Sequence, residues 1–211
     1  MKNIATMAAV VTPAMLGLIL LAHPIAELMV GHALADEAGR ALPWLALAGL
    51  FAGFNLYYWS EAFQLTRRTG LRAVIMLAPD AVQLTLTFWL TPGYGAAGAG
   101  IAALCGAIVG SLLLAGIGSR LFAPPWPWSA LARIGAACAV MTGALLALPA
   151  PHNAAGLALS VLAGATSYAA AAFAVDLFGV RARASALWQV LTPKLREVFH
   201  ASFTERFHAG R

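Results

Sequence analysis

The chain has 211 residues, of which 61% are hydrophobic and only 10% charged, against roughly 25% charged in an ordinary soluble domain. With a mean hydropathy of +0.81, these figures exclude a soluble globular domain, a disordered chain and a disulfide scaffold. The net charge of +5 takes its meaning from where the basic residues sit, and it implies no nucleic-acid partner.

A membrane-crossing helix needs about 20 predominantly apolar residues to span about 30 Å of hydrocarbon. Six stretches qualify: 4–21, 41–60, 71–90, 95–118, 131–148 and 154–177. They predict an all-α polytopic membrane protein: a bundle of about six transmembrane helices over residues 1–180, then a basic amphipathic cytoplasmic tail over 181–211. Punctuation separates the spans. Residues 31–40 are mixed and polar, Thr91-Pro92-Gly93-Tyr94-Gly95 is a turn, Pro124-Pro125-Trp126-Pro127 a breaker, and Pro149-Ala150-Pro151-His152-Asn153 another turn.

Basic residues set the orientation, because cytoplasmic loops carry the Lys/Arg excess. Lys2 precedes the first span. Arg67, Arg68 and Arg72 fall between the second and third or at the very edge of the third, and Arg120 and Arg133 between the fourth and fifth or at the very edge of the fifth. Arg181, Arg183, Lys194, Arg196, Arg206 and Arg211 follow the sixth. Of 13 basic residues only Arg40, beside Asp36 and Glu37, lies on the other side. Both termini are therefore expected in the cytoplasm. Trp44, Trp59, Trp89, Trp126 and Trp128 sit near span ends, where indoles favour the interface. Lys2 and the following apolar run also fit a signal peptide, whose cleavage would leave five spans in the same orientation. The run is long for that, and His23-Pro24 is a poor cleavage site.

In lipid, helices associate through small residues that let backbones approach. The second span carries Gly49 and Gly53. The fourth carries Gly98, Ala102, Gly106 and Gly110, and the fifth carries Gly135, Ala139, Gly143 and Ala147, each set at intervals of four. Intramembrane polar residues are costly and so more informative. Asp80 in the third span lies roughly 12 Å along the helix from Arg72, near mid-bilayer. Gln83 and Thr87 share its face, and Pro79 removes a backbone hydrogen bond beside it. This stripe reads either as the wall of a wet cavity or as a packing device between helices. At the end of the second span Tyr57, Tyr58 and Glu61 read as the rim of a sugar-binding cavity, or as an interfacial aromatic belt with a solvated carboxylate.

No enzyme constellation is present: no G-x-S-x-G elbow, no H-E-x-x-H and no phosphate-cradling glycine loop. No cofactor is implied. Cys105 and Cys138 lie inside spans without a spaced pattern, and His23 with Glu27 supplies too few ligands for a metal. In the tail, Leu187, Val190, Leu191, Leu195, Val198, Phe199, Ser202 and Phe203 trace a helical stripe, with Lys194, Arg196 and Arg206 mostly on other faces. That suits an amphipathic helix on the anionic cytoplasmic leaflet, or one docking on a partner.

Three segments together carry a family resemblance. Thr12-Pro13-Ala14-Met15-Leu16-Gly17 leads through Ala22-His23-Pro24-Ile25 to Val30-Gly31. Ala48-Gly49-Leu50-Phe51 leads to Gln64-Leu65-Thr66-Arg67-Arg68-Thr69. Leu90-Thr91-Pro92-Gly93-Tyr94-Gly95-Ala96-Ala97-Gly98-Ala99-Gly100-Ile101-Ala102 follows. Over residues 12–120 the chain resembles polysaccharide and O-antigen flippases of the multidrug/oligosaccharidyl-lipid/polysaccharide exporter superfamily. The resemblance implies export of O-antigen, capsule or exopolysaccharide, with lipid-linked oligosaccharide moved across the bacterial inner membrane by alternating access. Members usually have twelve to fourteen helices in two lobes, and these six look like the last six, so a chain supplying the missing helices is an expected partner alongside membrane lipid. A drug/cation antiporter of the same superfamily, with Asp80 carrying protons, and a non-transporting assembly subunit are the competing readings.

Overall fold

The computed structural model describes residues 2–60, 63, 69–121, 128–151 and 153–177. It consists of α1 (Lys2–Leu20), α2 (Ala22–Val30), α3 (His32–Phe54), a π-helical turn (Asn55–Trp59), α4 (Thr69–Leu121), α5 (Trp128–Ala147) and α6 (Ala154–Ala174). Among the described residues there is no strand. Among them four helices are long and apolar enough to cross a membrane, or five if the bent pair α1–α2 counts as one span. The amphipathic tail at 181–211, Glu61 and the 124–127 breaker lie outside the described residues.

Prolines shape the first half. Pro13 sits inside α1 and has no N–H to offer the carbonyl four residues back, that of Ala9. The Tyr168 hydroxyl of α6 donates to that carbonyl at 2.6 Å, meeting the requirement that freed backbone groups in lipid find another partner. Pro24 likewise cannot serve the carbonyl of Leu20, and there α1 and α2 bend by 73°. The segment 31–40, expected as a polar loop, is helical from His32 onward. Its residues, His-Ala-Leu-Ala-Asp-Glu-Ala-Gly-Arg, include strong helix formers, so its polarity marks a helix leaving the apolar layer.

A straight helix as long as α4 would run about 80 Å, far beyond a bilayer. It reverses at Gly95, the one residue inside it with a non-helical backbone (φ 59°, ψ −141°), within the turn expected at 91–95. At positive φ a side chain is strained, and a Cβ there would also lie 2.6 Å from Glu37 Oε1. The two arms of α4 run back along each other. A Cβ on Gly98 would fall 2.5 Å from the Leu90 carbonyl oxygen, and one on Gly106 would fall 2.8 Å from Gln83 Cβ. Further along, Ile75 and Leu114 share a buried cluster with Phe63.

The helices form an open row. α3 packs against α4 on one side and against α1 and α2 on the other; α1 continues to α5, and α5 pairs with α6. α4 makes at most marginal contact with α5 and α6, so among the described residues the row stays open. In lipid, exposed apolar faces carry no hydrophobic penalty that would force closure. The second core gathers Ala8, Ala9, Ile134, Cys138 and Leu177 between α1 and α5.

The connections sort into two ends. At one end Glu37 meets the Gly95 turn, and Glu27 and His32 share a small cleft with Pro151 and Asn153. His32 pairs with Glu27 at 2.9 Å and His23 with Asp36 at 3.8 Å. The α5–α6 turn lies where the sequence puts it: Asn153 caps α6 by accepting from the Gly156 N–H at 2.7 Å. At the far end of α6, Arg133 donates to the Asp176 carbonyl at 3.0 Å, a cation placed where the helix dipole favours one.

Candidate functional site

The site is built around a register change. α3 ends at Phe54, and the next turn is π-helical, closed when the Ser60 N–H reaches back five residues to the Asn55 carbonyl. The buried Ser60 hydroxyl donates to the same oxygen at 2.7 Å. Single π turns inside α-helices recur at functional sites. This one points Asn55 inward, with 4% of its surface exposed.

Asn55 reaches the returning arm of α4, its Nδ2 donating to the Ala107 carbonyl at 3.2 Å. The approach depends on the small-residue ridge. A Cβ on Gly110 would lie 3.3 Å from Asn55 Nδ2, and one on Gly106 only 3.0 Å from the Pro79 carbonyl oxygen. Ala102 on the same ridge is fully buried. Gly49 and Gly53 serve the other face of α3, where Cβ atoms would meet Met15 Sδ at 3.7 Å and Met7 Cε at 2.8 Å.

Between the π turn and the two arms of α4 lies a cleft of about 280 Å³, with Asn55, Arg72, Asp80 and Gln83 as its polar walls. Two buried atoms have no hydrogen-bond partner among the described residues, Asn55 Oδ1 and Arg72 Nε. One is an acceptor and the other a donor, and both belong to residues lining the cleft. Asp80 and Gln83 expose their side chains. The chemistry on offer is a guanidinium at one end, a carboxylate two helical turns away, and two carboxamides.

The other sequence candidates divide. Thr87 lies on the Asp80 face but returns its hydroxyl to the Gln83 carbonyl at 2.8 Å. Tyr57 and Tyr58 point apart, as successive residues on a helix do: Tyr57 is 57% exposed and Tyr58 2%. Tyr58 packs edge-on to Trp59, centroids 4.6 Å apart. Glu61 lies outside the described residues. Arg72 is the residue that sequence reasoning missed, because it counted as a loop charge fixing orientation. Its spacing to Met76, Asp80 and Gln83 (four, four and three) puts all of them on one helix face, and that signal was available.

A larger cavity of about 520 Å³ opens between α1, α5 and α6. Its walls are apolar, and its two hydroxyls are committed: Ser160 to the Gly156 carbonyl and Tyr168 to that of Ala9. It offers no orienting group. Among the described residues no three His, Cys, Asp or Glu side chains converge on a metal position.

Comparison with protein-family models, with curated proteins and with solved structures gives no match. The functional reading therefore rests on the geometry of the cleft and on the sequence motifs.

Proposed function

We propose that this chain is the C-terminal part of a polysaccharide-export membrane protein of the flippase kind. It would lie in the bacterial inner membrane, moving lipid-linked oligosaccharide by alternating access together with helices supplied by a further segment or a partner chain. In this reading the two arms of α4 are separate crossings and α1–α2 is one, giving six crossings with both termini cytoplasmic. The clustering of the 31, 95 and 151 connections at one end and Arg133 with Asp176 at the other supports that count.

The observation that carries the reading is the cleft itself. In an otherwise apolar helix row, a buried donor and a buried acceptor without partners among the described residues belong to the walls of the cleft that Asp80 also lines, and intramembrane polar groups of this kind mark substrate or ion pathways. Arg72 on the same wall disfavours the cationic-drug reading, since it repels a cation that Asp80 would attract. The open row supports a missing counterpart, because alternating access rocks one repeat against another.

The test is complementation of a flippase-deficient strain. Residues 1–211 alone should leave surface polysaccharide absent, and co-expression or fusion with a first lobe should restore it. In the restored system Asp80→Asn keeps size and hydrogen bonding but removes the charge, and should cut export while membrane abundance holds. Full export with Asp80→Asn makes Asp80 a packing residue. Export by the 211-residue chain alone overturns the need for a counterpart.

A further inference from the structure

The unpaired groups of the cleft describe a ligand more closely than "polar". Arg72 can only donate, and its planar fork fits a carboxylate with two parallel hydrogen bonds. Its Nε is already desolvated and lacks a partner among the described residues, so an anionic acceptor that reaches it gains a bond without further desolvation of that nitrogen, the anion's own desolvation being the cost to offset. Asn55 Oδ1 can only accept, and it belongs to a side chain with 4% exposure whose amide nitrogen is committed to Ala107. Asp80, when ionised, also only accepts, while Gln83 does both. The cleft thus asks for an anion at the Arg72 end and several hydroxyl donors at the Asn55–Asp80 end. Arg72 and Asp80 stand roughly 12 Å apart along the helix axis, close enough for one small ligand to touch both side chains. The volume of about 280 Å³ falls just under the roughly 300 Å³ at which pockets for drug-sized ligands begin. It takes one ring rather than a chain of rings. An acyl chain or an aromatic cation would leave Arg72 Nε and Asn55 Oδ1 unpaired and so gain no hydrogen bond from either.

We propose that this cleft binds a single saccharide ring bearing a carboxylate, a uronate. Its carboxylate sits on Arg72, and its hydroxyls donate to Asn55 Oδ1 and Asp80 and exchange hydrogen bonds with Gln83. The choice of a sugar rests on the polysaccharide-export reading above. The anionic end and the single-ring size come from the cleft alone.

The experiment uses the whole chain in nanodiscs of phosphatidylcholine, with saturation-transfer NMR on glucuronate, glucose and serine as probes. Glucuronate should take up saturation, with glucose about tenfold weaker, the order expected for losing a charge-assisted hydrogen bond. Arg72→Gln should bring glucuronate down to the glucose level, and Asp80→Ala should weaken both sugars. If Arg72→Gln does not elute as folded protein, Arg72→Lys serves instead: it keeps the charge but loses the planar fork, and should weaken glucuronate alone. Equal signals from glucuronate and glucose, or glucuronate binding that ignores the Arg72 substitution, overturn the anionic assignment. Stronger saturation of serine, a zwitterion with the same carboxylate, overturns the sugar. Silence from every probe overturns the site. Failure here is separable from failure of the flippase reading: export without uronate binding puts recognition elsewhere, whereas uronate binding without export in complementation leaves the cleft and removes the transport role.

Discussion

Two ridges of small residues run through this chain, and in the sequence they look alike. Gly98, Ala102, Gly106 and Gly110 repeat every four residues on the returning arm of α4, and Gly135, Ala139, Gly143 and Ala147 do the same on α5. In the folded chain they differ completely. The first is pressed against Leu90, Pro79, Gln83 and Asn55. The second faces outward, with all four residues exposed and nothing within 4 Å of where a Cβ on Gly135 or Gly143 would stand. Spacing permits close approach, but what lies opposite decides whether it happens. The α4 ridge is met by a tight reversal at Gly95 and by a polar residue, Asn55, that gains a hydrogen bond by coming close. On α5 the contact is made instead by the opposite face, through Ile134, Ala137, Cys138 and Met141.

Substitution can break or sharpen that contrast. Gly98→Val should have the largest effect, because the obstruction is the Leu90 backbone, which cannot swing aside as a side chain would. A loss of about 1–3 kcal/mol is the usual scale for overpacking. It should appear as a lowered unfolding midpoint in detergent, followed by size-exclusion chromatography. An unchanged midpoint would mean that the α4 arms do not pack as described.

A smaller loss is expected on the α1–α6 side, where one hydrogen bond replaces ridge packing. Tyr168→Phe should cost about 1 kcal/mol, and most of that loss should vanish in a Pro13→Ala background. There the restored N–H of residue 13 again serves the Ala9 carbonyl, so the Tyr168 bond becomes redundant. A double-mutant cycle on unfolding midpoints reads this directly. Equal costs in both backgrounds would show that the tyrosine does not compensate for the proline.

The smallest effect belongs to the bare ridge. Gly143→Ala adds a methyl group to open space in a helix interior, where alanine is favoured over glycine by up to about 1 kcal/mol. The midpoint should hold or rise slightly. A loss comparable to that of Gly98→Val would mean that another surface covers this ridge.

Much of the fold can be read from the residues because its signals are local. Proline and glycine place the reversal at Gly95, and Asn153 announces the start of α6 through its side-chain cap. Where the signal is ambiguous, the reading fails in ways that have physical causes. His32–Arg40 is polar and helical at once, and polarity alone suggests a loop. The bend near Leu21 follows from Pro24 acting on a carbonyl four residues earlier, an effect displaced from the residue that causes it. Half of the cleft is visible as the stripe Asp80, Gln83 and Thr87, since helical periodicity links them. The other half is hidden because it depends on tertiary partners. The π turn needs Ser60 to close it, and the burial of Asn55 needs glycines more than fifty positions away. Tyr57 and Tyr58 diverge for a simpler reason, since adjacent residues on a helix do not share a face.

The Tyr168–Ala9 bond also joins two residues 159 positions apart, which gives it a meaning in time. A ribosome adding about 5–20 residues per second takes ~8–30 s to make that interval of chain. Throughout it α1 exists, but the hydroxyl that completes it does not. An unpaired carbonyl costs several kcal/mol in hydrocarbon, so nascent α1 is less costly to hold near water or within the insertion machinery than to release into lipid. The synthesis of α6 therefore sets when α1 can settle in the bilayer.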